Sequence, residues 1–80
     1  MERMSARFVG RAVGMSTAWV YGMWKDMGLV EKDKFGDWIL TAIGKSIGGK
    51  MSKNSYRPVP IFEFEVIEKM MIDFYNTKRK

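Results

Sequence analysis

Apolar residues recur along this chain at helical spacing in three stretches and as short strand-like runs between them. Phe8, Val9, Ala12 and Val13 fall at i, i+1, i+4 and i+5, behind Ser5 as an N-cap and ahead of Gly14, and predict a short first helix. Ser16 opens a second helix whose apolar set is Val20, Met23, Trp24 and Met27, and Gly28 stands where a left-handed C-terminal cap belongs. Leu29 and Val30 then fold back onto the core. Glu31 to Asp37 is charged and turn-like, and Trp38-Ile39-Leu40 reads as a short strand with Trp38 and Leu40 on one face. Thr41 caps a third, short helix carrying Ile43 and Ile47, weakened by Gly44 and stopped by Gly48-Gly49. Lys50 to Pro58 has no apolar period and reads as an exposed loop, followed by a strand at Val59-Pro60-Ile61-Phe62 whose proline belongs on an edge or at a bulge. Phe64, Ile67, Met70 or Met71, and Phe74 space a last helix, with Glu63 and Glu65 at its start and Lys78-Arg79-Lys80 beyond its end, the charge order its dipole favours.

The expected order is therefore helix, helix, strand, short helix, strand, helix: an α+β, mainly helical fold in which two strands flank a long basic loop, as a wing does. Eighty residues enclose one hydrophobic core, so residues 1–80 are expected to form a single domain with an ordered core over about 5–75. The chain has no cysteine and no histidine, which excludes a disulfide framework, a thiolate metal site and the commonest zinc ligand and proton shuttle. No cofactor is expected, and the core must hold by packing alone. Glu2 and scattered arginines stand where a signal peptide would have its apolar segment, and no stretch approaches the roughly 20 apolar residues that span a bilayer. A cytoplasmic protein with no membrane partner is expected.

The net charge of +5 matters mainly for its distribution. Arg3, Arg7, Arg11 and Lys25 lie in one acid-free segment; Lys45, Lys50, Lys53 and Arg57 lie in another, between Trp38 and Phe62. Acids are concentrated from Asp26 to Asp37 and from Glu63 to Asp73. If the two acid-free segments are neighbours in space they make one basic surface, the footprint a polyanion binder needs; if not, the charge only keeps the chain in solution.

The link between the first two helices has the length and residues of a helix-turn-helix. A small residue is needed where the helices cross, a glycine in the turn, and an apolar residue closing the pair; Gly10, Gly14 and Val20 supply them, supported by Val9, Val13, Met15 and Met23. Over about 20 residues this stretch resembles the helix-turn-helix of bacterial and phage repressors. Trp38-x-Leu40-Thr41-x-x-Gly44-Lys45 is similar to the aromatic-x-Leu-Thr-x-x-Gly-Lys element that follows the recognition helix in many winged-helix regulators. In outline the chain looks like the C-terminal DNA-binding domains of phage antirepressors and small prophage regulators. That resemblance implies a winged helix-turn-helix, duplex DNA as partner, a role in transcription regulation and no catalysis.

The second helix departs from the resemblance. Recognition helices usually offer Arg, Asn or Gln to base edges, whereas this one projects Ala18, Tyr21, Gly22 and Lys25 outward, with Ser16 and Thr17 at its start. As a DNA-facing surface, the small pair Ala18 and Gly22 lets the helix sit deep in a major groove, Thr17 and Tyr21 donate, and Lys25 contacts a phosphate. As a protein-facing surface, the same pair, flanked by Trp19 and Tyr21, admits a helix of a second copy of the chain or of a regulatory partner. Lys45 and the loop Lys50, Lys53, Asn54, Ser55, Tyr56 and Arg57 suit a phosphate backbone or a minor groove, and equally a solvated surface.

Two further patterns fail. Gly44-Lys45-Ser46 copies the tail of a phosphate-binding loop, but the required glycine five residues earlier is Ile39. Glu63, Glu65, Glu68 and Asp73 group at a helix start, where dipole and solvation account for them without acid-base chemistry. Neither an enzyme nor a small-molecule substrate is expected. Met23, Met27, Met70 and Met71 lie on apolar faces as adaptable core filler.

Overall fold

A computed structural model describes residues 2–53 and 57–78. The described residues form β1 (Arg3–Ser5), α1 (Ala6–Val13), α2 (Thr17–Asp26), β2 (Val30–Lys32), β3 (Trp38–Leu40), α3 (Ala42–Ser46), β4 (Lys50–Met51), β5 (Pro60–Glu63) and α4 (Phe64–Lys78). The strands make two antiparallel sheets, one ordered β1-β5-β4 and the other the β2–β3 hairpin. The result is a small α+β domain.

The helix-helix turn forms at the predicted residues. Gly14 takes φ 76°, a left-handed value that costs a residue with a Cβ roughly 1–2 kcal/mol. A Cβ on Gly10 would lie 2.6 Å from the Met15 carbonyl oxygen, so only glycine lets the turn cross α1 at this height. Ser16 then accepts a hydrogen bond from the Trp19 amide at 3.1 Å, satisfying one of the open donors at the start of α2. At its end the Leu29 amide donates to the Trp24 carbonyl and the Gly28 amide to that of Lys25, both at 2.9 Å, a Schellman closure that turns Leu29 and Val30 into the core as expected.

Several elements differ from expectation, each for a local reason. Three strands are added to the predicted order: β1, β2 and β4. Each has only two or three residues, too few to show an alternating period. The core face of α1 consists of Ala6, Val9 and Gly10 with Val13 half-buried, while Phe8 and Ala12 are exposed. Gly10 leaves room for the turn backbone at Met15 and Ser16, and the bulkier Phe8 faces outward. Met15 is exposed as well. Ser5 occupies the N-cap position of α1 but makes no capping bond with its side chain, because its backbone is the last rung of β1 opposite Ile61.

Gly44 also has a different part from the one expected. A Cβ there would collide with the Leu29 carbonyl oxygen and come within 3.0 Å of Leu40 Cδ2, so the residue that weakens α3 as a helix is what lets it pack on the α2 exit. Thr41 fixes that junction from both sides: its hydroxyl donates to the Gly28 carbonyl at 2.6 Å and accepts from the Gly44 amide at 3.0 Å. At the centre of the core Trp24 meets Phe62 edge-on at 4.8 Å and directs its indole N–H to the Met71 sulfur at 3.4 Å. Met23, Met27 and Met70 pack around this centre, as their spacing predicted.

Candidate nucleic-acid interface

Helix α2 packs on the core through Val20 and Trp24 and exposes Thr17, Ala18, Gly22 and Lys25. Nothing lies within 4 Å of a Cβ built on Gly22, so neither packing nor backbone conformation requires a glycine there. Ser16 is exposed but occupied as the N-cap. Tyr21 is not a freely projecting side chain. Its ring stacks on Trp38 with centroids 4.8 Å apart and planes 5° from parallel, and it meets Trp24 edge-on at 5.8 Å. Burial raises the Tyr21 hydroxyl above its ordinary value near 10, so near neutral pH it is an uncharged donor held at the side of the helix.

On the Tyr21 side, α2 borders an open groove lined by Arg3 and Ser5 of β1, Arg7 and Phe8 of α1, Thr17 and Tyr21 of α2, and Ser52, Val59 and Ile61 of the β4–β5 hairpin. Residues facing each other across antiparallel strands share a face. Ile61 stands opposite Ser5 on one side and Lys50 on the other, which puts Lys50 on the groove side of the sheet. The two acid-free segments therefore meet here. The exception to the groove's basic character is Glu63, which lies 3.8 Å from Arg3. The hairpin is closed below its loop by the Ser52 amide donating to the Val59 carbonyl at 2.9 Å and the Val59 amide to the Ser52 hydroxyl at 3.1 Å.

The remaining predicted positions divide. Lys50 belongs to β4, not to an irregular loop, and Lys53 is exposed just beyond it. Arg57 is turned toward the other hairpin, where it pairs with Asp37 at 3.2 Å. Lys45 is exposed on α3 and is not among the groove-lining residues. Asn54, Ser55 and Tyr56 lie outside the described residues. Sequence reasoning missed Arg7 and Phe8, which it left unassigned or placed in the core. The available signal was that Arg7 and Arg11 sit four apart on α1 with Phe8 between them; the Arg11 guanidinium lies 5.9 Å from the centre of the Phe8 ring.

The opposite side of α2 is of another kind. Trp19 and Met23, with Val13 from the end of α1 and Met15 from the turn, face Met71, Ile72 and Tyr75 of α4 across an apolar groove in which Glu68 is the charged residue. Ile72 and Tyr75 are about half exposed, at 54% and 47%.

Among the described residues no group of three carboxylate, histidine or cysteine side chains is placed to hold a metal ion, and no helix is long and apolar enough to cross a membrane. No family model matches the chain, nor does any curated protein or solved structure.

Proposed function

We propose that the chain binds duplex DNA, without catalysis, as a small transcriptional regulator of phage or mobile-element type built on a winged helix-turn-helix. The observation that carries this is the convergence of the two acid-free segments on one groove alongside α2, which exposed Arg7 lines and on whose side of the sheet exposed Lys50 stands, with Lys53 exposed just beyond β4. In this reading α1 and α2 are the helix-turn-helix, α2 enters the major groove, and the β4–β5 hairpin is the wing. Ala18 and Gly22 let the α2 backbone approach the base edges, Thr17 offers a hydroxyl, and Lys25 and Arg7 neutralise phosphates on either side. With no Arg, Asn or Gln on the exposed face, few base edges are read bidentately and selectivity is modest. The mobile-element origin is supported by the resemblance of the Gly10, Gly14, Val20 spacing and the Trp38-x-Leu40-Thr41-x-x-Gly44-Lys45 element.

Chemical-shift mapping with a short mixed-sequence duplex tests the proposal, since non-specific binding at about 10⁻⁴–10⁻⁶ M already perturbs interface amides. Shifts concentrated at Arg7, Thr17 to Lys25 and Lys50 to Lys53 are expected. An unperturbed spectrum, or shifts confined to the basic C-terminal tail, would sink it. A second reading, a protein-interaction module on the same fold, is favoured by the apolar groove between α2 and α4; it takes first place if duplex leaves the spectrum unchanged and a second protein chain perturbs Trp19, Met23 and Tyr75.

A further inference from the structure

We infer that the turn of the β2–β3 hairpin is a second contact on the same duplex, with Phe35 acting as an apolar wedge against a minor-groove base step. The inference rests on the duplex-binding proposal above. Its starting point is a turn built more tightly than its length requires. The Asp33 carboxylate accepts the Phe35 amide at 2.8 Å and the Asp37 amide at 3.0 Å. The Gly36 amide donates to the Asp33 carbonyl at 3.0 Å and the Asp33 amide to the Asp37 carbonyl at 2.9 Å. These bonds use backbone groups and one carboxylate, so nothing in the turn calls for an aromatic at position 35. Yet Phe35 is 78% exposed, the most exposed large apolar side chain among the described residues.

The surroundings of the ring point to nucleic acid. Asp33 is engaged inside the turn and Asp37 by Arg57 at 3.2 Å, so each of the two acids nearest the tip already has donors of its own. Lys34 places its ammonium 5.2 Å from the Phe35 ring centre, and Lys32 holds its own 5.1 Å from that of Trp38. A single ring flanked by lysines and aspartates is a poor core for a protein interface, which is depleted of charge and draws on a patch of several hundred Å². A base step, by contrast, takes one apolar side chain, and the phosphates beside it take the lysines. The direction of the tip is also set: Trp38, on the strand rung next to the turn opposite Lys32, is stacked on Tyr21 of α2, so Phe35 is carried at a fixed offset from the helix proposed to enter the major groove. A wedge presented on a preformed turn loses little conformational freedom on binding.

The test uses mixed-sequence duplexes carrying 2-aminopurine within a TA step, a step that unstacks easily, with the parent protein, Phe35→Ala and Phe35→Leu. The parent should raise 2-aminopurine fluorescence on binding, as unstacking does. Phe35→Ala should abolish that rise and bind roughly tenfold more weakly, in line with removal of one aromatic ring from a base. Phe35→Leu, still an apolar wedge, should keep most of both. An unchanged thermal midpoint for Phe35→Ala confirms that the exposed ring was not holding the fold. Equal affinity and equal fluorescence for the parent and Phe35→Ala would overturn the inference while leaving duplex binding intact. A parent that binds no duplex at all would overturn the duplex proposal and this inference with it.

Discussion

The two sides of α2 share ten residues of backbone and little else. On the Tyr21 side the helix borders arginines, a lysine-bearing strand and hydroxyl groups drawn from three separate parts of the chain. On the Trp19 side it borders methionine, isoleucine and tyrosine from its own turn and from α4. The difference shows how an 80-residue domain can separate two kinds of surface: acids are kept out of residues 3–25 and 38–62, and one helix is placed as the divide between that charge and the apolar face. Duplex binding requires the first side only. The second then remains for a protein contact or as the exposed margin of a small core.

The largest effect should come from removing the divide itself. Gly10→Val places a branched side chain where even a Cβ would lie 2.6 Å from the Met15 carbonyl oxygen, so both sides should be disrupted together, at about 3 kcal/mol or more by urea denaturation. Gly14→Val meets open space but must hold φ 76°, and should cost about 1–3 kcal/mol. Equal midpoints for Gly10→Val and the parent would mean that the helices do not cross at Gly10.

Next in size is neutralisation of the basic side. Arg7→Gln, Lys50→Gln and Lys53→Gln combined should lower the salt slope of duplex binding by about 0.9 for every phosphate that is no longer neutralised, which at 0.1 M salt corresponds to roughly eightfold in affinity for each. All three side chains are exposed, so the unfolding midpoint should hold. On the other side, Ile72→Glu should change duplex affinity by less than about threefold and stability by about 0.5 kcal/mol, because its 54% exposed side chain lies across α2 from the groove. Loss of duplex binding in Ile72→Glu would erase the distinction between the two sides.

The smallest effect concerns the Tyr21 hydroxyl. Burial favours its neutral form in the folded chain, so its pKa is raised on folding. The stability tied to that neutral form is fully present below the unfolded value near 10 and is lost as pH rises through the higher folded value. Urea midpoints taken from about pH 8 to 11 should therefore fall at the alkaline end, and the fall should be shallower in Tyr21→Phe, which keeps the stack on Trp38. An identical alkaline profile in the two proteins would show that the hydroxyl is not desolvated.

How much of this was written in the residue pattern depends on distance along the chain. The glycine turn, both caps of α2, the Thr41 cap and the α4 spacing follow from neighbours within about four residues, where side chain and backbone dictate each other directly. The strands β1, β2 and β4 do not, because two or three residues carry no period and pair only through partners up to sixty positions away, as Arg3 does with Glu63. On α1 the eye is drawn to Phe8, but Ala6, Val9, Gly10 and Val13 fit the i, i+3, i+4, i+7 template, and close packing favoured the smaller face. The candidate groove was half visible. Charge segregation suggested that a basic surface existed, and Lys50 was found by it. That Arg7 and Phe8 belong to the groove while Arg57 turns away to Asp37 depends on how two hairpins sit side by side, which no local spacing encodes.

The most direct test of the duplex proposal is a salt titration of the unmodified protein with random-sequence duplex DNA. Phosphate contacts release condensed counterions, so log affinity should fall linearly with log salt, with a slope of about −0.9 for each contact and hence close to −3 if Arg7, Lys50 and Lys53 each meet a phosphate. Binding that does not change between about 50 and 200 mM salt, or no binding at the lower concentration, would contradict a phosphate-tracking groove.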